Sequence, residues 1–507
     1  MNDSGDSDST ARRSFITCKL AIFVVGGLVL LAALLRLPPL FNDLWLDEIW
    51  SWNVGTNATG WWQIVAGYPE SNNHILNTLI LRAWGDVEGT AWLRMHSFLF
   101  GLAGVPLSAF ATFRLAKSYA AAVTAALLVA ASLLQVVYST EARGYEAMFV
   151  CSLVAFCLFR PGGDRPSLLV SLLFQSACIA GVLFHASFLQ FWLALLVYQV
   201  FVVVSGGSSR AKALSHLAAV MSGVARWHLI FIAFLGGYHF VFLRKLVLGA
   251  AGYQSYVEAA GVAAGWTLNL PAGLFAPTVS LVLLGGGAVA GIMVLWRSGR
   301  RASAVFLVAV IFFVPAVFFV IRPPWANTTE PLLSLMPQHF FLSCAFALLS
   351  TAVALGALLA TGQRGLAGAL LALFLVGAWM SLEPFYRFGR GNSQAVLEHI
   401  VDGSPITGTI YLGGNEATRT ATHFGFYIDR FPESSRSRLK VTRPESWALQ
   451  PPDWLIPMHD EIRPEHFEAI GMTDQRDGSV LATYRFEKVF PCGGVNGWHS
   501  FLFKRDS

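Results

Sequence analysis

Asp47 and Glu48 stand side by side in the segment Trp45-Leu46-Asp47-Glu48-Ile49-Trp50-Ser51-Trp52. The segment follows the first long apolar run, so it falls at a membrane edge. A charged side chain at a bilayer centre costs roughly 2.5–3.5 kcal/mol, so ionisable groups this close to the lipid are a default functional hypothesis. A carboxylate can take a proton from an attacking hydroxyl. The surrounding tryptophans favour the interfacial layer. Two acids among tryptophans suggest a place that handles both a lipid and a proton.

Three further polar groups fall on the same side of the membrane. Ser71-Asn72-Asn73-His74 precedes Ile75-Leu76-Asn77-Thr78. Arg94 opens the next apolar run, and Tyr138-Ser139-Thr140-Glu141-Ala142-Arg143-Gly144-Tyr145 joins two later ones. Guanidinium groups clamp phosphate through paired donors. Taken singly, each feature has a plainer reading. Adjacent acids are often a solvated surface, Arg143 could anchor a span at headgroup level, and His74 could cap a short helix. Their combination in this order favours a site. Asp47 and Glu48 are the candidate catalytic acids. Asn73, His74, Arg94, Glu141, Arg143 and Tyr145 are candidate substrate-binding residues. The chemistry they suit is sugar transfer from a lipid phosphate, because nucleotide sugars and ATP are absent outside the cytoplasm.

Composition sets the frame. The chain has 507 residues, 55% hydrophobic and 13% charged, where a soluble domain carries about 25% charge. This is the composition of a multi-pass membrane protein. The net charge of +5 gives no sign of nucleic-acid binding. The six cysteines form no CxxC pair, so neither a disulfide framework nor a cysteine metal site is expected.

A span needs about 20 apolar residues. Eleven runs qualify, near 15–37, 92–114, 119–137, 144–159, 167–184, 186–204, 226–243, 274–296, 303–321, 338–360 and 366–382. The fifth and sixth form one block, divided at His185. Arg12, Arg13, Lys19, Arg114, Lys117, Arg160, Arg165, Arg210, Lys212, Arg297, Arg300, Arg301 and Arg364 fall on one side of these runs. Arg82, Arg94, Arg143, Arg244, Lys245 and Arg322 fall on the other. The first side is therefore cytoplasmic. This predicts a disordered cytoplasmic N-terminus over 1–14, a transmembrane domain over 15–382 with a long first outer loop (about 38–91), and an extracytoplasmic domain over 383–507, all in the plasma (inner) membrane. Within the tail, Thr407–Leu412 and Ser479–Phe486 read as strands and Ala417–Tyr427 as a helix. The fold class expected is an α-helical polytopic membrane protein of about 11 spans with a small C-terminal α/β domain.

The order of these motifs resembles the GT-C superfamily of polytopic glycosyltransferases, the glycosyltransferase family 39 type that includes protein O-mannosyltransferases and the lipid A aminoarabinose transferase. LWLDEIWSW is similar to the family's acidic first-loop motif. SNNHILNTLILRAW resembles N-N-H-P-L-N-T-L-L, with Ile75 where proline is usual. WLRMHSFLFGLAGVPL resembles its second span, and YSTEARGYEAM resembles Y-S-x-x-A-R-G-Y-A. Four ordered motifs cover about residues 40–150. The resemblance implies transfer from a polyprenyl-phosphate sugar donor to an envelope glycan, lipid or protein acceptor, with inversion at the anomeric carbon. It implies Asp47 as base with Glu48 in support, and Arg143 with Arg94 on the donor phosphate. Gln338 and His339 stand where the family often has arginine and tyrosine. The first loop has no DxD motif, so no metal or other cofactor is expected. A lipid-linked glycan flippase and a non-catalytic scaffold of a glycan-assembly complex are the alternatives. No internal repeat of the kind transporters carry is visible.

Overall fold

The computed structural model describes residues 4–85, 89–161, 166–205, 213–247, 256–271, 273–313, 316, 336–414, 417–473, 480–495 and 497–506. Structural statements below concern these residues. Arg165, Arg210, Lys212 and Arg322, used above to orient the spans, lie outside them.

The chain is an α-helical polytopic membrane protein. Its first nine helices are α1 (Ser4–Arg36), α2 (Leu46–Asn57), α3 (Trp61–Ala66), α4 (Ile75–Trp84), α5 (Thr90–Ala116), α6 (Tyr119–Ala131), α7 (Leu133–Ser139), α8 (Tyr145–Leu158) and α9 (Leu168–Phe184). Seven described stretches are long and apolar enough to cross a membrane: 18–41, 90–116, 188–205, 220–245, 277–297, 337–360 and 364–388. The pair α6 and α7 makes an eighth if counted as one bent span. Three expected spans appear as shorter apolar helices, Tyr145–Leu158, Leu168–Phe184 and Arg301–Phe313. The remainder of the span expected over 303–321 lies almost wholly outside the described residues. One expectation is corrected. The N-terminal segment over 1–14, expected to be disordered, is helical from Ser4. Once a helix is nucleated, each added residue gains a hydrogen bond without a new nucleus.

The bend between α6 and α7 is 59°. It arises at Ser132, whose ψ of 128° leaves the helical region. A break inside the bilayer must satisfy its own backbone groups, because lipid offers none. Arg36, fully buried, supplies most of the donors. Its guanidinium donates to the carbonyls of Val129 (3.1 Å) and Ala130 (2.7 Å) and to Ser139 Oγ (2.8 Å). Asn269 spans the break itself. Its amide donates to Ala131 O at 3.0 Å and its oxygen accepts from Leu133 N–H at 2.6 Å. Asn269 sits at φ +59°, a region asparagine tolerates better than most residues. Ser132 Oγ donates to Thr267 O at 3.0 Å.

The molecule divides into two compact units. The larger comprises residues 1–37, 54–87 and 93–381, and the smaller comprises 38–53, 88–92 and 382–507. The boundary falls inside α2, between Asn53 and Val54. The smaller unit holds a sheet of β1 (Ile410–Gly413), β2 (Leu439–Val441), β3 (Trp454–Leu455), β4 (Met458–His459), β5 (Ile470–Thr473), β6 (Val480–Phe490) and β7 (His499–Arg505). The order is β2-β1-β3-β7-β6-β5, with β4 on β7. β1 is parallel to β2 and β3, and the remaining pairs are antiparallel. The helix Ala417–Ile428 follows β1. The strand and helix expected around 407–427 are thus both present, and β6 extends the strand expected from 479. Leu455, Tyr484, Phe501 and Phe503 form the core of this sheet. Among them, Tyr484 donates its hydroxyl to Pro452 O at 2.9 Å.

The Arg36 bonds carry a stability prediction. Arg36→Met keeps the apolar stem but strips the donors from the carbonyls at the α6 end. Buried unsatisfied groups cost about 1–3 kcal/mol each. The variant is expected to unfold several degrees below the parent in detergent, measured by fluorescence-detected thermal unfolding. Arg36→Lys should fall between the two. A midpoint unchanged in Arg36→Met would show that the break does not depend on this side chain.

Candidate functional site

In the larger unit, the turn Thr140–Gly144 is held from three directions by α4 and α5. Asn77 on α4 donates its amide to Ala142 O at 2.8 Å. Ser97 on α5 donates its hydroxyl to Arg143 O at 3.0 Å. His74, at the start of α4, accepts the Gly144 N–H on Nδ1 at 3.0 Å. His96 on α5 fixes Asn77 in turn, with Nε2 2.7 Å from its oxygen. Gly144 is required for its lack of a side chain. A Cβ there would lie 2.1 Å from Phe184 O and 3.3 Å from His74 Nδ1.

These bonds fix where Arg143 points. Its guanidinium lies over the Tyr145 ring, 5.1 Å from the centroid. It donates to Asn72 Oδ1, and its terminal nitrogen stands 3.4 Å from His74 Nε2. The protonation of His74 follows from its neighbours. Burial, with help from the fields of His185 and Arg143, holds its pKa well below the ordinary histidine value. The ring is therefore neutral at pH 7. Because Nδ1 accepts from Gly144, the single ring proton is on Nε2. A donor of His74 and a donor of Arg143 thus face each other. Two buried donors at such a spacing are matched by an oxygen that accepts from both, as an anion's oxygen does.

The sequence-derived residues are distributed as follows. His74, Arg143 and Tyr145 come together directly. His74 and Tyr145 rings are 5.0 Å apart, edge to face. Asn73 shapes the loop: its amide donates to Ile64 O and Tyr68 O at 2.7 and 2.9 Å, and its oxygen accepts from Thr78 at 3.1 Å. Glu141 is buried within the turn that carries Arg143. Arg94 is buried one turn before Ser97 on the same face of α5. Asp47 and Glu48 belong to the smaller unit, in the first turn of α2. Glu48 is fully buried and accepts the Trp45 N–H at 2.8 Å, which is half of a capping box. Asp47 is half-buried, and its carbonyl accepts from Ser51.

Sequence reasoning passed over several members of this arrangement. His185 stacks within 4.6 Å of both His74 and Tyr145. Its signal was its isolation as a polar residue inside an apolar block. His339 is close enough to His185 to interact with it electrostatically. Asn72, Asn77, His96 and Ser97 act through the bonds above. Among the described residues, no three His, Cys, Asp or Glu side chains form a group that could hold a metal.

No protein-family model matches the sequence, and neither does any curated protein. The chain is similar to solved structures. One is ArnT from Cupriavidus metallidurans in the apo state, with 11% identity, TM-score 0.47 and coverage of 98% of both chains. The same protein bound to undecaprenyl phosphate gives 12% identity and TM-score 0.48, covering 96% of this chain and 98% of that one. The archaeal oligosaccharyltransferase AglB from Archaeoglobus fulgidus, in complex with an inhibitory peptide and a dolichol-phosphate, gives 12% identity and TM-score 0.47. That match covers 87% of this chain and 69% of AglB. ArnT and AglB are both members of the GT-C superfamily, the one whose motifs residues 40–150 resemble.

Proposed function

We propose that this protein transfers a sugar from a polyprenyl-phosphate donor to an acceptor hydroxyl on the extracytoplasmic face of the membrane. The observation that carries the reading is the convergence of the Arg143 guanidinium and the neutral His74 Nε2–H, fixed by the pinned 140–144 turn. Donors held in place in a low-dielectric site stabilise charge that develops on a leaving oxygen without reorganising. The step is a single displacement. The acceptor oxygen forms a bond to the anomeric carbon. The bond from that carbon to the phosphate oxygen breaks, and its electron pair leaves with the polyprenyl phosphate. The acceptor proton passes to a carboxylate. One displacement inverts the anomeric centre.

Asp47 is the proposed base. Glu48 already uses an oxygen to cap α2, so its role is to position Asp47. Arg143 and His74 hold the phosphate, Tyr145 supports the guanidinium, and Arg94 and Glu141 complete the surroundings. The polyprenyl chain takes its place among the apolar helices. The acceptor is an envelope glycan, lipid or protein.

Two experiments test this. The first is transfer from a synthetic polyprenyl-phosphate sugar by purified protein. Asp47→Asn should lower the rate roughly 10²–10⁴-fold, the usual loss for a general base, with protein level unchanged. Glu48→Gln should keep most activity, because an amide oxygen can still accept the Trp45 N–H. Arg143→Lys should lose most donor binding, since an ammonium does not reproduce a planar fork. Donor binding equal to the parent's in Arg143→Lys would reduce the arginine to a membrane anchor. Full turnover in Asp47→Asn would leave the flippase or scaffold readings instead.

The second experiment concerns orientation. With the N-terminus cytoplasmic, a reporter active only outside the cytoplasm should be active when fused after Ser507. It should be silent when fused after Arg300. The reverse pattern would overturn the orientation drawn from the basic residues.

A further inference from the structure

We propose that the smaller unit carries an anion site of its own, at the carboxyl end of β1. It takes a phosphate-bearing ligand of the phosphosugar class on Thr420, His423, Arg419 and the amino end of the Ala417–Ile428 helix. This site is separate from the donor-phosphate reading and does not depend on it.

The topology places it. β1 lies between β2 and β3, parallel to both. The chain leaves β1 for β2 on one side and returns to β3 on the other. In open parallel sheets such a switch point opens a crevice at the strands' carboxyl ends, and ligands bind there. The helix that follows β1 offers its amino end, where unpaired N–H groups and the dipole favour anions. The approach is close. A Cβ on Gly414 would lie 2.2 Å from Thr420 Oγ1 and 3.1 Å from Ile456 O. Thr420 is therefore aimed at the carboxyl end of β1.

Two buried polar side chains point to a ligand. Thr420 is fully buried and His423 is 4% exposed. Thr420 Oγ1 and both ring nitrogens of His423 have no hydrogen-bond partner among the described residues. Buried polar groups in native proteins are nearly always paired, and an exception calls for an explanation such as a missing ion. The two residues are three apart on one helix, hence on one face. Burial, and then the field of Arg419, push His423 down to about 4. The ring is neutral at pH 7 and offers one N–H donor.

The cations beside them are held by ring stacking. Arg419 lies 4.2 Å from the Trp498 ring centroid. The Trp498 and Trp45 rings are 4.2 Å apart, and Arg390 lies 5.4 Å over Trp45. Stacking uses the face of a guanidinium and leaves its N–H edge for an anion. His423 is 6.4 Å from the same Trp498 ring. Arg419 and Trp498 are partly exposed, so the cluster has an open side.

The test is hydrogen exchange on the full-length protein in phosphatidylcholine nanodiscs, read in peptides covering 417–428. Saturating glucose 1-phosphate should slow exchange there about tenfold, the ratio expected at ten times Kd. Glucose should do nothing. Thr420→Val and His423→Phe should remove the protection, and Thr420→Ser should keep it. Ligand-free exchange of the same peptides shows whether each variant's helix is folded. If glucose 1-phosphate is silent but nanodiscs with added phosphatidic acid protect 417–428, the natural source of the phosphate is a lipid headgroup. Absence of protection in both arms overturns the proposal. So does equal protection by glucose, or persistence of protection in Thr420→Val and His423→Phe. Protection that vanishes in Arg143→Ala would assign the effect to the other phosphate site and also overturn it.

Discussion

The larger unit depends on one constraint: in lipid, a broken helix must find partners for its own backbone. The break at Ser132 redirects the chain by 59° and leads directly, through α7, to the turn that carries Arg143. Without Arg36 and Asn269 the carbonyls of Val129, Ala130 and Ala131 would face hydrocarbon. The groups that solve this problem are polar and buried. Arg36 also reaches Ser139 at the far end of α7, so one side chain ties both sides of the bend. Breaking a buried network of this kind by removing one member leaves the others unpaired, which costs more than the bond itself.

The same logic continues into the turn. Its carbonyls and amide are satisfied by side chains of α4 and α5 rather than by regular structure. This choice has a consequence for protonation. By accepting from Gly144, His74 commits its proton to Nε2 and presents it toward Arg143. A ring that served only as a helix cap would be free to turn. Here the backbone bond, burial and the edge-to-face contact with Tyr145 together leave one orientation. A structural hydrogen bond thereby sets the polarity of the candidate site. The arrangement is preorganised in the sense that matters for charge stabilisation.

How much of this was legible in the sequence follows from what each signal encodes. Apolar length located the helices, because a span must be long and uncharged. Strand alternation and a glycine pair located β1, the helix after it and β6. Ionisable residues near membrane edges located His74, Arg143 and Tyr145. Arg36 read as an interfacial basic residue, since positive charge at a span's end has a bland explanation. Its role is set by carbonyls about a hundred residues away, which no local pattern records. The bend at Ser132 was invisible for a similar reason: hydropathy is blind to a single ψ. His185 carried a signal, but one that read equally as a span boundary. The extent of α1 was missed because composition reports cohesion of a segment with a core, not propagation from a helix already formed.

The acidic motif shows how two adjacent like residues come to differ. Both lie in the first turn of α2, where acids favour the helix end. Glu48 turns inward and is spent on the Trp45 N–H. Asp47, one residue earlier, projects from another face and keeps solvent access. The motif's aromatic residues are equally specific. Trp45 stacks with Trp498, Trp52 meets Phe426 edge to face, and Tyr427 hydrogen-bonds the backbone at Leu44. The tryptophans that looked like bilayer anchors are therefore, at 45 and 52, packed into the C-terminal unit. Residues 38–53 and 382–507 form one folded body. The C-terminal segment thus has a physical task apart from any ligand it binds: it supplies the surface against which the acidic motif acquires its shape.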